Sequence, residues 1–573
     1  MRPRAPFWPW LVIAAVSGIT HFFLVPVGSA WVDADLATVP AASDWYWRQG
    51  WMPFYFDHPY GGTTLTNLRA VVTAVYTVLA GGIWRAPSVN SHLFFSFVFA
   101  PTLFALFAYG LLRAYFDGRA ALVGGLVCAV GLQYWRYVGQ HDFLHATLLI
   151  GMALLAWRAR YADPFREMSP RALFWAGGLS GLAVYTWSPG LIYVFVFWVN
   201  FSEVKAAIVD ALRARRKGYW VSYFFVALFF YVEIFGRELF RVGERVIKLD
   251  SRPNLLVAGV VAAATWVASR RPWRNARFWP RLGCVAAGFA LGFSPQVYGW
   301  LTRQVYVDFV TGQLSPLGGL AQTLPRLPVA LTNIFGAGEP VFFRLLAVAV
   351  LALGVGMIAA RLSGKRGTRG ARFVPVAWGA ALCGVAFLLV RTYTSGEDRY
   401  LAPSLPFLVV ALGAVAQAAS AHPSRNVRGV LTALLALFAA SHFAVRVANV
   451  QDPALLRERD FRIEVIRTFR GGGVPFVLSD DYWQSNQFSF LSECRPCFAS
   501  IGRPMGHPEA IRQLRSLGEL PEIGILLAVK PDRQKYVQSA GDREIEFLGH
   551  RWKTVFLSQI DDKVLLKGIL QKP

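Results

Sequence analysis

Uninterrupted apolar runs alternate with short polar, arginine-bearing segments from Phe7 to Val445, and then the alternation stops. A helix that crosses the hydrocarbon core of a bilayer needs about 20 mostly apolar residues. Backbone polar groups inside lipid must pair within their own segment, so such runs are helices and not strands. The pattern predicts a first span over residues 7–27. Further spans are expected over 92–115, 120–134, 143–157, 173–187, 191–201, 220–235, 255–268, 282–300, 341–360, 373–390, 400–419 and 430–445. With the first helix this makes about thirteen crossings. Residues 68–84 are apolar but short and carry glycine and threonine, which suits an interfacial or re-entrant helix. Gly28-Ser29-Ala30 is small enough to end a signal peptide, but the run before it is long for one and further spans follow, so it reads as an uncleaved first helix.

After about Asp452 a basic, helix-like stretch is followed by short strand-like runs over 475–478, 523–529, 554–557 and 564–569. That mixture predicts a small α/β domain. The fold class expected is therefore a polytopic all-α membrane domain, residues 1–450, with a long outer loop over 31–90. A C-terminal α/β domain, residues 451–573, lies outside the cytoplasm.

Charge supports this division. The chain carries +24 formally, with a mean hydropathy of +0.40. From Val447 onward 18 Lys and Arg stand against 16 Asp and Glu, so +22 of the excess lies in the apolar part. Basic residues beside spanning helices mark cytoplasmic loops, which accounts for the excess through topology and anionic lipid and makes nucleic acid an unneeded partner. Threading the spans puts 24 Lys and Arg on the inner side and 13 on the outer, tail excluded. The largest exception is 237–252, with five basic residues on the outer side. It reads as an interfacial helix, or else the two flanking spans do not cross. An odd number of crossings places the N-terminus in the cytoplasm and the tail outside, as a multi-pass protein of the plasma (inner) membrane.

Cys128, Cys284 and Cys383 fall in apolar runs and read as packing residues. Cys494 and Cys497 form a C-x-x-C without a second pair nearby, which favours a local disulfide over zinc if the tail is outside.

The chemistry-bearing residues collect on the outer side. Asp33-Ala34-Asp35 follows the first helix, Asp57-His58 follows in Tyr-Phe-Asp-His-Pro-Tyr-Gly-Gly, and Gly139-Gln140-His141-Asp142 precedes the span at 143. A carboxylate at the mouth of a spanning helix is costly unless it faces water, a partner or a metal. Such a group can remove a proton from an acceptor hydroxyl or amine. Asp33 with Asp142 can also hold a hard divalent cation. His58, His141 and His145 can join either role. Arg48, Arg69, Arg136, Arg303 and Arg399 are the cationic complement that a phosphate requires. Arg399 has a plainer reading too, as a local ion pair with Glu397 or Asp398. Residues 301–340 form a long outer loop with three prolines before its last residue, the kind of segment that closes over substrates.

In this order and spacing the motifs resemble the GT-C glycosyltransferases, polytopic enzymes that use lipid-phosphate-linked sugars. Their first outer loop carries a modified D-x-D, matched by Asp33-Ala34-Asp35. Bacterial members similar to aminoarabinose transferases and protein O-mannosyltransferases carry an aromatic stretch before D-H-P-P, which Tyr55-Phe56-Asp57-His58-Pro59-Tyr60 approaches. Asp142 matches the acidic residue of the second outer loop, and Arg399-Tyr400-Leu-Ala-Pro403-Ser-Leu-Pro406 a late R-Y-x-x-P-x-x-P. Gly177-Gly-Leu-Ser-Gly181-Leu-Ala183 fits a later helix, but Thr186-Trp187-Ser188 stands where that family has lysine.

The resemblance implies an inverting transfer from a polyprenyl-phosphate-linked sugar to a glycolipid, glycan or protein acceptor, beside membrane lipid. Asp33 or Asp35 is the implied base, with Asp33 favoured by the family spacing, and Asp142 assists. Asp57, His58, Arg136, His141, Arg303, Arg399 and Tyr400 are implied around the phosphate and substrate. Oligosaccharyltransferase catalytic subunits are a second, lesser resemblance, since their tail motif W-W-D-Y-G is not matched by Ser479-Asp480-Asp481-Tyr482-Trp483. A lipid or sugar transporter would place polar residues at mid-membrane with internal repeats, and the sequence shows neither feature. An envelope assembly protein is the remaining alternative.

Overall fold

The computed structural model describes residues 6–23, 25, 89–131, 142–161, 163–186, 189–200, 238–242, 245–248, 277–301, 327–334, 341–363, 370, 372–388, 398–501, 508–528, 543–547 and 549–571. The expected spans near 220–235 and 255–268, and the short helix at 68–84, lie outside these residues.

Helix α1 (Trp8–Phe22) opens with Pro9 in its first turn, where a missing N–H costs nothing. A short helix α2 (Val89–Phe94), a π turn (Phe95–Phe99) and α3 (Ala100–Tyr115) then run on as one rod. Helices α4 (Gly118–Gly131), α5 (Asp142–Arg158), the one-turn α6 (Pro164–Glu167), α7 (Pro170–Thr186) and α8 (Gly190–Trp198) follow. Beyond them are α9 (Phe278–Leu301), α10 (Leu327–Ile334), α11 (Val341–Ser363) and α12 (Val374–Leu388). A 3-10 helix (Asp398–Ser404) leads into α13 (Leu405–Ala421), and α14 (Arg425–Val450) completes the bundle.

Four of these stretches, His92–Tyr115, Val341–Ser363, Leu401–Ala421 and Arg425–Ala448, are long and apolar enough to cross a membrane. Phe7, Leu11, Ile19, Leu345 and Trp175 stand exposed on the bundle surface, as lipid-facing side chains do. Helix α13 is the opposite case. Its residues from Leu405 to Ala416 are all buried, and it is the post around which α3, α4, α11 and α14 pack.

Helix contacts without a hydrophobic driving force depend on close backbone approach, which small residues permit. Between α7 and α9 this is explicit. A Cβ at Gly177 or Gly181 would meet the carbonyl oxygens of Val285 and Phe289, and one at Gly288 or Gly292 those of Phe174 and Gly178. The Gly177-x-x-x-Gly181 motif is thus a packing seam.

Two sequence expectations are corrected. Within 237–252 two strands, β1 (Glu238–Val242) and β2 (Arg245–Lys248), pair antiparallel, where an interfacial helix, or else flanking spans that do not cross, was expected. Leu239, Phe240, Val242, Val246 and Ile247 include the β-branched and aromatic types that favour strands, and this preference outweighs the charge pattern. The outer loop over 301–340 is not wholly irregular, because α10 lies within it.

The tail starts with α15 (Pro453–Gly471), capped by Asp452, whose side chain accepts from the Ala454 amide. Its six-stranded sheet runs β4-β3-β5-β8-β7-β6. The strands are β3 (Phe476–Ser479), β4 (Cys497–Ser500), β5 (Glu522–Ala528), β6 (Arg543–Phe547), β7 (His550–Ile560) and β8 (Lys563–Gln571). Strands β3, β4 and β5 are parallel and the rest antiparallel. The period of two sends Phe476 and Leu478 to one face, beside Ile523, Ile525 and Trp552. Val477 goes to the other, against Phe469 of α15 and Phe488 of α16 (Tyr482–Leu491). A last short helix, α17 (Pro508–Arg515), covers the first face at Ala510. Cys494 and Cys497 form a disulfide between α16 and β4.

Two contacts set the direction of the bundle. Tyr115, near the end of α3, donates to the Leu155 carbonyl near the end of α5 (3.5 Å), so these helices run parallel. At the opposite end the tail docks: Phe490 packs on Leu93 and Phe97, its ring 6.1 Å from His92, and the Val89 amide donates to Glu493 Oε1 at 3.2 Å. The bundle therefore has a tail end, where α5 begins, and an arginine end, which gathers Arg113, Arg119, Arg158, Arg160, Arg361 and Arg372.

Candidate active site

At the tail end several element termini converge. Helix α5 starts at Asp142. The 3-10 helix carrying Arg399 and Tyr400 packs on α5, α10, α12 and the start of α13. Pro403 interrupts regular α-helical bonding just ahead of α13, which keeps this segment wound as 3-10. Its position is fixed from α8: the buried Tyr193 hydroxyl donates to the Pro403 carbonyl at 2.6 Å, and the Tyr193 ring stacks on Phe407. On the other side Thr147 of α5 and Thr186 at the end of α7 share a buried hydrogen bond of 2.7 Å. Thr186 also donates to the Ala183 carbonyl at 2.9 Å. Thr186 opens the Thr-Trp-Ser segment that stands in place of the expected lysine, and its hydroxyl ties the end of α7 to α5.

Of the residues singled out in the sequence, Asp142, Arg399 and Tyr400 lie on segments that pack together, although Asp142 is more than 250 positions from the other two in the chain. His145, one turn into α5, is buried. Asp33, Asp35, Asp57, His58, Arg136, His141 and Arg303 lie outside the described residues. Among the described residues no cluster of three His, Cys, Asp or Glu suited to a metal is found.

One polar group was not foreseen from the sequence. Arg446, on α14, is 2% exposed and lies close enough to His21 of α1 and His442 of its own helix to couple electrostatically to both. His21 Nδ1 bonds the Ser17 carbonyl at 2.8 Å, Thr102 donates to Ser17 Oγ at 3.3 Å, and His442 sits edge-on to Phe438 at 4.4 Å. A fully buried arginine in a spanning helix is costly and marks function by default. The available signal was His442 and Arg446 at i and i+4 on one helix face; ending the last span at 445 hid it.

The tail's Ser479-Asp480-Asp481-Tyr482-Trp483 has a structural role. Asp481 accepts from the Gln484 amide at 3.1 Å at the start of α16, and Asp480 accepts from the Ala528 amide at 3.2 Å, tying β3 to β5.

One solved structure shares this chain path along nearly its whole length, and a second is reported beside it. The crystal structure of ArnT from Cupriavidus metallidurans bound to undecaprenyl phosphate aligns with 98% of this chain and 98% of its own, at 12% identity and a TM-score of 0.53. The archaeal oligosaccharyltransferase AglB from Archaeoglobus fulgidus, in complex with an inhibitory peptide and a dolichol-phosphate, aligns with 92% of this chain and 70% of its own, at 14% identity and a TM-score of 0.47. No protein-family model matches the sequence, and no curated protein does. The likeness to ArnT extends over both whole chains, bundle and tail together. With the convergence of α5, the 3-10 helix and the tail at one end, it gives this chain the GT-C fold.

Proposed function

We propose that this protein is a membrane glycosyltransferase that moves a sugar from a polyprenyl-phosphate donor to an acceptor at the tail end of the bundle, with inversion. The observation that carries the reading is the GT-C chain path over nearly the full length, with α5, the helix that Asp142 opens, packed on the segment that bears Arg399 and Tyr400. The basic residues gathered at the opposite end favour a cytoplasmic arginine end and an extracytoplasmic tail.

In this reading the donor lipid lies between helices and its phosphate faces Arg399, with Arg303 and Arg136 contributing from the neighbouring loops. Asp33 or Asp35 takes the proton from the acceptor hydroxyl or amine as its oxygen or nitrogen attacks the anomeric carbon. The bond from that carbon to the phosphate oxygen breaks, and the phosphate leaves as the anion. Fixed positive charge in a site that excludes much of the water stabilises that anion strongly. Asp142 holds the acceptor, Asp57, His58, His141 and Tyr400 line the substrates, and the segment around α10 closes over them. Asp33 and Asp142 supply oxygen donors of the kind a hard divalent cation takes. Retained activity in excess EDTA would remove the cation from the reading.

The test is incubation of purified protein with labelled polyprenyl-phosphate sugars. Release of free polyprenyl phosphate is expected, and Asp33→Asn should lower it about 10²–10⁴-fold with membrane insertion intact. An undiminished Asp33→Asn variant would move the base to Asp35 or elsewhere. Wild-type protein that releases nothing from any such donor would end the proposal.

A further inference from the structure

The contacts that seat the tail on the bundle come from one short stretch of the tail. Phe490 and Leu491, at the end of α16, join Val89, Leu93 and Phe97 in one apolar cluster, and the Glu493 carboxylate accepts from the Val89 amide at 3.2 Å. The next residue is Cys494, which is bonded to Cys497, three positions on, where β4 begins.

Glu493 and Cys494 both lie in the left-handed region, at φ of 53° and 55°. A side chain disfavours that conformation, so two such residues in succession must be held there. Glu493 reaches Val89 from this backbone. Hydrogen bonds hold part of the turn. The Cys494 amide donates to the Ser489 carbonyl at 2.8 Å, and the Ser492 hydroxyl donates to the Pro496 carbonyl at 2.6 Å. Arg470 of α15 donates to the Arg495 carbonyl at 2.8 Å. The disulfide is the covalent member of this set.

The two sulfurs differ in access. Cys497 is fully buried in the tail core, in the cluster of Phe476 and Leu478. Cys494 is half-buried and stands between the exposed Glu493 and Arg495. A thiolate arriving from solution therefore meets Cys494 first. Cys497 Sγ lies 3.3 Å from the Cys494 carbonyl oxygen, an acceptor for the thiol that reduction leaves at the buried position.

Loop size decides what reduction changes. In the chain-entropy model a link across so short a loop narrows the open ensemble by roughly twentyfold, less than a link across a long one. The six-stranded sheet keeps its ladders and both apolar faces without it. The loss therefore falls on the turn and on what the turn holds, which is the dock.

We propose that Cys494–Cys497 is a thiol–disulfide exchange site whose state sets the seating of the tail on the bundle, and that its partner is a dithiol on the tail side. A thiolate of the dithiol attacks Cys494 Sγ, the S–S bond breaks, and Cys497 leaves as a thiolate and takes up a proton. The second thiolate of the dithiol then attacks the dithiol's own bonded sulfur and displaces Cys494, which takes up the second proton. Two electrons pass to the protein, and the dithiol leaves as a disulfide. Freed of the link, residues 493 and 494 relax from the left-handed region and Glu493 releases Val89. The inference stands on the dock itself and is independent of the transferase reading.

Hydrogen–deuterium exchange of the full chain in lipid nanodiscs, before and after dithiothreitol, tests this, with the thiols at 494 and 497 counted by alkylation. Reduction should proceed without denaturant. It should speed exchange at residues 89–97 and 490–494 about tenfold, while peptides from β5 and β8 stay as they were. C494S/C497S should exchange like the reduced protein and ignore dithiothreitol, and reoxidation of the wild type should restore the slow state. If that variant does not fold, reduced wild-type protein still decides the matter. Unchanged exchange at 89–97 in protein shown to be reduced would overturn the proposal. So would faster exchange throughout β5 and β8, which would make the disulfide a support of the tail's fold, or a disulfide that dithiothreitol does not reach in the folded chain.

Discussion

The Tyr193 hydroxyl shows how a single buried hydrogen bond positions the residues expected to bind phosphate. It is the tie between α8 and the 3-10 helix, and it reaches the Pro403 carbonyl just ahead of α13. Tyr193→Phe keeps the ring stacked on Phe407 and removes only the donor. The Pro403 carbonyl then loses this partner in a dry setting, at a cost of about 1–3 kcal/mol. The expected result is a lower midpoint in thermal unfolding in detergent together with weaker donor binding, and full rescue of neither by added lipid. An unchanged midpoint would mean that the 3-10 helix is held by its packing alone. Asp142, Arg399 and Tyr400 were legible in the sequence because charged and aromatic residues at helix mouths are conspicuous. Tyr193 was not, because a tyrosine in an apolar run looks like any other packing residue until its partner, 210 positions away, is known. Arg446 went unread for a related reason: its cost is apparent only once the helix is seen to continue to Val450.

Elements reveal what apolar runs cannot say about their own partners. The runs located most of the helices among the described residues to within a few positions, since lipid demands length and hydrophobicity in one piece. They did not tell which helix packs on which. The α7–α9 seam is the exception in hindsight, because Gly177, Gly181, Gly288 and Gly292 form two matched small-residue patterns. Gly288→Leu should force the helices apart against the Phe174 carbonyl. An overpacking cost of about 1–3 kcal/mol is expected, seen as a lower unfolding midpoint with insertion unaffected. A variant as stable as wild type would show that the seam is loose in the membrane. The turn between α3 and α4 makes a separate prediction. Burial by itself would raise the Asp117 carboxyl, but bonds from the Ala120 amide, the Gln417 side chain and the Arg119 amide outweigh it and hold the group below the ordinary carboxylate range. Asp117→Ala should therefore cost about 1 kcal/mol as a lost cap near neutral pH. Because the native pKa is depressed, the stabilisation is complete above the ordinary carboxylate pKa and disappears as acid takes the pH down through the lower native value. Unfolding midpoints of the two proteins should converge in that acid range; a gap that is constant with pH would assign the effect to packing.

For the whole molecule, the division into a bundle and a mixed α/β tail followed from where the apolar runs cease. The tail's sheet was only half legible. Its central strands are apolar and were found, whereas β4 and β6 are short and take their meaning from neighbours. The strand pair within 238–248 was not read, because charge was given more weight there than strand-forming residues. What the sequence could not show is that the tail rests on α2 through Phe490 and Glu493, at the same end at which α5 opens with Asp142. That arrangement makes sidedness the central claim of the proposed function, which puts sugar transfer at the membrane face that bears the tail. It is tested most directly in sealed vesicles containing the purified protein and a labelled polyprenyl-phosphate sugar, with tail orientation scored by protease trimming from outside. Donor cleavage on addition of an impermeant acceptor mixture should follow the fraction of protein whose tail is outside, and should vanish with Asp142→Asn at unchanged orientation. Cleavage that follows the opposite orientation, or persists at the wild-type rate in Asp142→Asn, would contradict it.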